Sequence, residues 1–229
     1  MVLLSFNPAQ ASLLDLHEHD DALGLSEPSP SDMRLRSRWI FWEQLASNSG
    51  KSLPYSESTK QIASCETVDE FWRTWDRLPQ PSELIANRMV HHEGDNSHVV
   101  DALMVFCDGI APQWEDKANI NGGHFQFQFK ATSGGIQIDE YWNNLALAVL
   151  GATLEPSDMI TGIRLVDKLS GPRGAGHVRI EVWFSDLSDT QAVQQLQHSV
   201  ERCIATKTLG GRIGAVPAVE LKHHRMTRH

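Results

Sequence analysis

The sequence predicts a mixed α+β domain built on a largely antiparallel β-sheet. Three observations carry this. Several short segments alternate apolar and polar residues with a period of two. Three longer segments carry capping residues and helical spacing. No regular helical crossover separates successive strands, as a parallel sheet would require.

The elements follow in order. Arg38-Trp39-Ile40-Phe41-Trp42-Glu43 opens the body as a strand. Thr67-Val68-Asp69-Glu70 is a capping box that opens a helix through Leu78, stopped by Pro79. Val99 to Phe106 is an apolar strand. Phe125, Phe127 and Phe129 alternate with Gln126, Gln128 and Lys130, which places the rings on one face. Ile138 to Leu150 forms a second helix with Gly151 as its stop. Gly162 to Lys168 and Val178 to Phe184 are strands. Ser188-x-x-Gln191 caps a third helix carried by Val193, Leu196, Val200 and Cys203, and Gly210-Gly211 ends it.

The 229 residues suit one globular core. Twenty Lys and Arg against 29 Asp and Glu give −9 at pH 7, which argues against a protein that grips nucleic acid by neutralising many phosphates. The charge is uneven. Residues 1–33 hold six acidic residues and no Lys or Arg, and read as an acidic, disordered arm. The expected domain spans residues 34–221, and residues 222–229 form a short basic tail. The apolar stretches are too short for a membrane helix. The amino end has no basic region before its short apolar run, so it does not resemble a secretory signal. Cys65, Cys107 and Cys203 are odd in number and form no CxxC pair, which points to a reducing, intracellular setting. Seven Trp against two Tyr is an unusual ratio, so the positions of the tryptophans matter.

Several chemistries are unsupported. Ser49-Gly50-Lys51-Ser52 imitates the end of a phosphate-binding loop, but Leu45 stands where its first glycine belongs. Gly171 to Gly176 lies between two strands and lacks dinucleotide-binding spacing. His91-His92 with Glu93, Asp95 and His98 lacks metal-ligand spacing and reads as a solvated polar loop. No nucleophile, base and orienting group assemble, so an enzyme, a cofactor and a metal are not expected.

Two clusters stand out. Val178, Ile180, Val182 and Phe184 share one face of a strand, while Arg179, Glu181 and Trp183 share the other. Lys168 and Arg173 fall near that second face, which makes a local anion site with an aromatic beside it. The second cluster is the loop Gly109-Ile110-Ala111-Pro112-Gln113-Trp114-Glu115-Asp116. A loop tryptophan beside a carboxylate suits a flat cationic base: the ring stacks and the carboxylate accepts N–H donors.

The order of these pieces resembles the cap-binding translation initiation factor 4E family. The likeness rests on Arg38-Trp39-x-x-Trp42, Thr67-Val68-Asp69-Glu70-Phe71-Trp72, Asp108-Gly109-Ile110-x-Pro112-x-Trp114-Glu115-Asp116, Asn119-x-x-Gly122-Gly123, Asp139-Glu140-Tyr141-Trp142, Gly162 and Ile180-Glu181-Val182-Trp183. It runs from about Arg34 to about Gly214. The resemblance implies a curved antiparallel sheet with three long helices on its convex face. It implies a site for 7-methylguanosine in which Tyr55 and Trp114 sandwich the base, Glu115 accepts its N–H groups and Trp183 packs near the methyl group. Lys168, Arg173, Arg179 and His124 match phosphate-binding positions. Val68, Trp72, Asn143 and Leu147 match the surface that takes helical peptides of a scaffold initiation factor or of repressor proteins.

Departures from the family pattern accompany the match. Tyr55 replaces the usual Trp, and His124-Phe125 replaces Arg-Trp. The proline usual upstream of the first strand is absent from Met33-Arg34-Leu35, and Asn143-Asn144 lacks the acidic residue usual after the helix tryptophan. The long Ala86 to His98 segment, with Tyr55, is similar to divergent members from kinetoplastid protists. The resemblance implies a cytoplasmic protein, with a nuclear pool, that binds capped mRNA in translation initiation or its regulation. The alternative is a repressor or adaptor that keeps the fold, binds cap weakly and works through its helical face.

Overall fold

A period of two along a strand buries one face, and here that face is shared by most strands of one sheet. The computed structural model describes residues 33–46, 55–93, 96–130, 132, 135–169, 176–206 and 218–224. Its strands are β1 (Arg34–Leu45), β2 (Thr59–Thr67), β3 (Met89–Glu93), β4 (Asn96–Cys107), β5 (Gly123–Lys130), β6 (Ile160–Lys168), β7 (His177–Phe184) and β8 (Glu220–His223). They form one curved sheet in the order β2-β1-β4-β6-β7-β5-β8, with β3 paired to β4. Every pairing is antiparallel. The helices are α1 (Tyr55–Ser58), α2 (Val68–Trp75), α3 (Pro81–Ala86), α4 (Gly135–Leu150) and α5 (Thr190–Ala205).

The main core lies between the sheet and the helices. Phe125, Phe127, Phe129, Val178, Ile180, Val182 and Phe184 meet Phe71, Trp75, Ile138, Trp142, Leu145 and Leu196. Each such side chain contributes about 1.5–3 kcal/mol by leaving water. A smaller cluster of Ala102, Met104, Phe106, Val166 and Trp183 packs on the opposite face. That face carries the candidate site.

The capping box is present as expected: Glu70 N donates to Thr67 Oγ1 at 3.2 Å and Thr67 N donates to Glu70 Oε2 at 3.2 Å. Other expectations need correction. The first helix stops at Trp75, because Arg77 N and Leu78 N bond to the carbonyls of Thr74 and Trp75 in a tightened last turn. Asp189, not Ser188, caps the third helix by accepting from Ala192 N at 3.0 Å, and that helix ends at Ala205. His91 and His92 lie in β3 instead of a polar loop, and His91 Nδ1 stands 2.7 Å from the buried Glu43 carboxylate. The first residues of the expected basic tail, 222–224, belong to the folded domain. Lys222 and His223 belong to β8, and His224 is buried. Residues 1–32 of the acidic arm, Ser49 to Ser52, Arg173, Gly210-Gly211 and residues 225–229 lie outside the described residues.

Candidate functional site

The loop from Asp108 to Gly122 is shaped by two polar side chains. Gly109 turns the chain with φ +81°, a conformation that favours glycine. Asp116 then accepts from Ala111 N at 2.9 Å and from Ala118 N at 2.8 Å. The fully buried Asn119 donates through Nδ2 to the carbonyls of Ala111 and Gln113, both at 3.0 Å. These bonds pin the loop on either side of Pro112, so Trp114 and Glu115 project outward. Trp114 is 42% exposed. An indole that open on a tethered loop, next to an exposed carboxylate, offers a stacking face and two acceptor oxygens.

Along β7 the open face changes from aromatic to cationic. Trp183 lies at the loop end, with Glu181, Arg179 and His177 at every second position toward the other end. Trp183 shares the expected face but is not a surface residue, since only 1% of it is exposed. Phe106 meets it edge-on at 5.2 Å, and its Nε1 donates to Glu181 Oε2 at 2.8 Å. Gly162 makes room for this packing. A Cβ there would stand 2.5 Å from the Phe106 ring. Trp183 therefore forms the floor of the site, with little surface left for a ligand.

Glu181 sits under the cations. Arg179 Nε is 2.7 Å from its Oε1, and Arg164 is 3.7 Å from its Oε2. Burial pushes the Glu181 pKa up, but Arg164, His124 and Arg179 pull it down further, so the carboxylate stays below its ordinary range. One anion is shared by two guanidiniums, which leaves a net positive charge on this part of the face. Arg164 also donates to Gln44. The alternation with Ile163 marks Arg164 in the sequence, yet only the strand register brings it beside Glu181. Lys168 is exposed at the far end of β6. Burial of part of its chain, together with Arg179 and Arg164, holds its pKa below the usual lysine value.

His124 does not stand free as a phosphate ligand. It is buried and bonded through Nδ1 to His224 Nε2 at 3.0 Å. Burial pushes its pKa down to about 4; Glu181 opposes this, while His224, Arg179 and Arg164 add to it. It is a neutral ring at neutral pH. Tyr55 opens α1, ahead of Thr59, which pairs with Gln44 of β1. The Trp114 loop leaves β4 at Cys107, opposite Trp39. The two aromatic positions thus leave the sheet at different points along β1, one beside Gln44 near its end and one beside Trp39 at its middle.

On the helical face, Val68 and Trp72 are half-buried and one turn apart on α2. Leu147 of α4 is half-buried and borders a groove with Thr153, Arg202 and Cys203. Asn143 is a different case. Its Oδ1 accepts from Trp75 Nε1 at 2.7 Å, and its Nδ2 donates to Gln80 Oε1 at 2.9 Å and Asp139 O at 2.8 Å. Its polar atoms tie α4 to α2, so they do not face a partner. Leu150, one turn of α4 beyond Leu147, is buried in the main core.

The family model for eukaryotic initiation factor 4E matches residues 34–210. A rice protein named eukaryotic translation initiation factor NCBP is 30% identical over 168 residues, covering 73% of this chain and 64% of the relative. Eukaryotic translation initiation factor 4E of Saccharomyces cerevisiae is 31% identical over 154 residues, covering 66% of this chain and 65% of the relative. The chain thus spans a little under two thirds of the length of these relatives. Among solved structures, Ascaris suum eIF4E-3 with m2,2,7G cap aligns at a TM-score of 0.64 and 19% identity, covering 84% of this chain and 92% of that one. A schistosome eIF4E complexed with m7GpppA and 4E-BP aligns at 0.59 and 19% identity, covering 76% and 84%. These likenesses establish the fold.

Proposed function

The chain belongs to the eukaryotic initiation factor 4E family, and from that premise we propose that it binds the 7-methylguanosine cap of mRNA in translation initiation or its regulation, without catalysing a reaction. The observation that carries this is the loop locked by Asp116 and Asn119, which presents Trp114 and Glu115 at one end of a face whose other end holds Arg179 and Lys168.

In this reading the methylated base stacks on Trp114, and Tyr55 supplies the second plate. Each aromatic contributes roughly 1–3 kcal/mol by stacking. The base is cationic, so it also gains from the π face. Glu115 accepts the guanine N1–H and exocyclic amine in charge-assisted bonds. Trp183 is the floor near the methyl group. The triphosphate runs along β7 toward Arg179 and Lys168, with Arg173 as a further cation. His124 is left out of the phosphate set because it is neutral and already hydrogen-bonded.

A helical peptide from a scaffold initiation factor or a repressor would dock on Val68, Trp72 and Leu147. Solved relatives bound to cap analogues, to 4E-BP and to Mextli support both surfaces. The compartment is the cytoplasm, where translation occurs, with a nuclear pool. Tryptophan-fluorescence titration with 7-methyl-GTP and GTP tests the reading. The methylated nucleotide is expected to bind more tightly. Equal, weak binding of both would favour an adaptor that acts through its helical face.

A further inference from the structure

A third ring stands beside the two tryptophans of the site. His224 follows β8 and is 3% exposed. Its ring is nearly parallel to Trp114, at 13° and 6.0 Å between centroids, and lies 4.4 Å from Trp183 and 5.3 Å from His124. Two hydrogen bonds fix its orientation. Asn119 O is 2.8 Å from Nδ1, and a carbonyl only accepts, so Nδ1 carries the hydrogen. In the neutral ring Nε2 is then an acceptor, and His124 Nδ1–H donates to it.

Asn119 thus does two jobs. Its side chain pins the loop that presents Trp114, and its carbonyl pins the ring against which Trp114 rests. The backbone is shaped for this approach. His224 N donates to Gly122 O at 3.1 Å, and a Cβ at Gly123 would stand 2.4 Å from Lys222 O. The double glycine is the seat of the C-terminal strand. An exposed indole on a loop has several rotamers to lose on binding, and a fixed ring against one face removes some of them beforehand.

We propose that His224 is a positioning residue for base recognition: its imidazole, clamped between Asn119 and His124, backs one face of Trp114 and holds the indole ready to stack the cap base on the other. This rests on the cap-binding reading above. The ring acts through Trp114, so a flat substitute should serve where a small one does not.

The test is a 7-methyl-GTP titration of the full chain, His224→Ala and His224→Phe, each first checked for folding by circular dichroism. His224→Ala is expected to bind about 3- to 10-fold more weakly, as loss of one aromatic pair implies, and His224→Phe, which keeps a flat ring but loses both clamping bonds, to lose clearly less than His224→Ala. Unchanged affinity in His224→Ala, or an equal loss in His224→Phe, would overturn the proposal. Long-range imidazole ¹H–¹⁵N spectra of the parent protein give a second measurement that needs no variant to fold. Both rings are expected neutral and protonated on Nδ1 at neutral pH, and a freely averaging His224 would overturn the clamp. If the parent fails to prefer 7-methyl-GTP over GTP, the cap reading falls, while the imidazole spectrum still decides whether His224 is seated.

Discussion

Replacing Glu181 with Gln would remove one charge and almost no volume. The carboxylate is 1% exposed, with Arg179 at 2.7 Å, Arg164 at 3.7 Å and the Trp183 N–H at 2.8 Å. Gln keeps an acceptor for Trp183, so that hydrogen bond survives. The two guanidiniums lose their shared counter-charge. Removing one partner of a buried ion pair costs about 3–5 kcal/mol. Because the arginines are only partly buried, the expected loss is about 3 kcal/mol, a large share of the roughly 5–15 kcal/mol that stabilises a domain. Urea unfolding followed by near-UV circular dichroism reads it directly. Inorganic triphosphate should raise the melting temperature of Glu181→Gln more than that of the parent, since the freed arginines gain an anion. A loss below about 1 kcal/mol, or equal stabilisation of both proteins by triphosphate, would refute the shared-anion argument.

Three further outcomes are expected. Asn143→Ala should cost about 2 kcal/mol, because it leaves the Trp75 N–H buried without its acceptor, and urea unfolding checks this. Acid should destabilise the protein between about pH 6.5 and pH 4. There the unfolded chain takes up a proton that folded His124 refuses, worth about 3 kcal/mol over the window, and His124→Phe should flatten that part of a pH series of urea midpoints. Gly162→Ala should lower stability by about 1–3 kcal/mol and disturb the near-UV signal of Trp183, since the added Cβ collides with Phe106 and with the carbonyl of Val105.

Local signals made much of this fold legible. Phe125, Phe127 and Phe129 declared their face by period alone, and Thr67 with Glu70 declared a helix start. What escaped was held by partners distant in sequence. Glu220-Leu221-Lys222-His223 has no apolar alternation, and it is a strand because β5 pairs with it. The visible trace of that pairing is Gly122-Gly123, since a Cβ at Gly123 would stand 2.4 Å from Lys222 O. The burial of Trp183 had a trace too. Ala102 to Phe106 is apolar on both faces, as expected for a strand covered on both sides, and Met104 and Phe106 supply the second cover. The loop chemistry around Trp114 was legible because its residues are contiguous. His224 was not, because only the fold brings it 105 positions back to Asn119.

Base reading by Trp114 and Glu115 underlies the proposed cap site. Its most direct test is the ratio of 7-methyl-GTP to GTP affinity, measured side by side by calorimetry for the parent chain and Glu115→Ala. The expected result is a ratio well above one in the parent that falls by at least about tenfold in the folded variant, as loss of charge-assisted bonds worth about 1.5–3 kcal/mol requires. A ratio near one in the parent, or an undiminished ratio in Glu115→Ala, would contradict it.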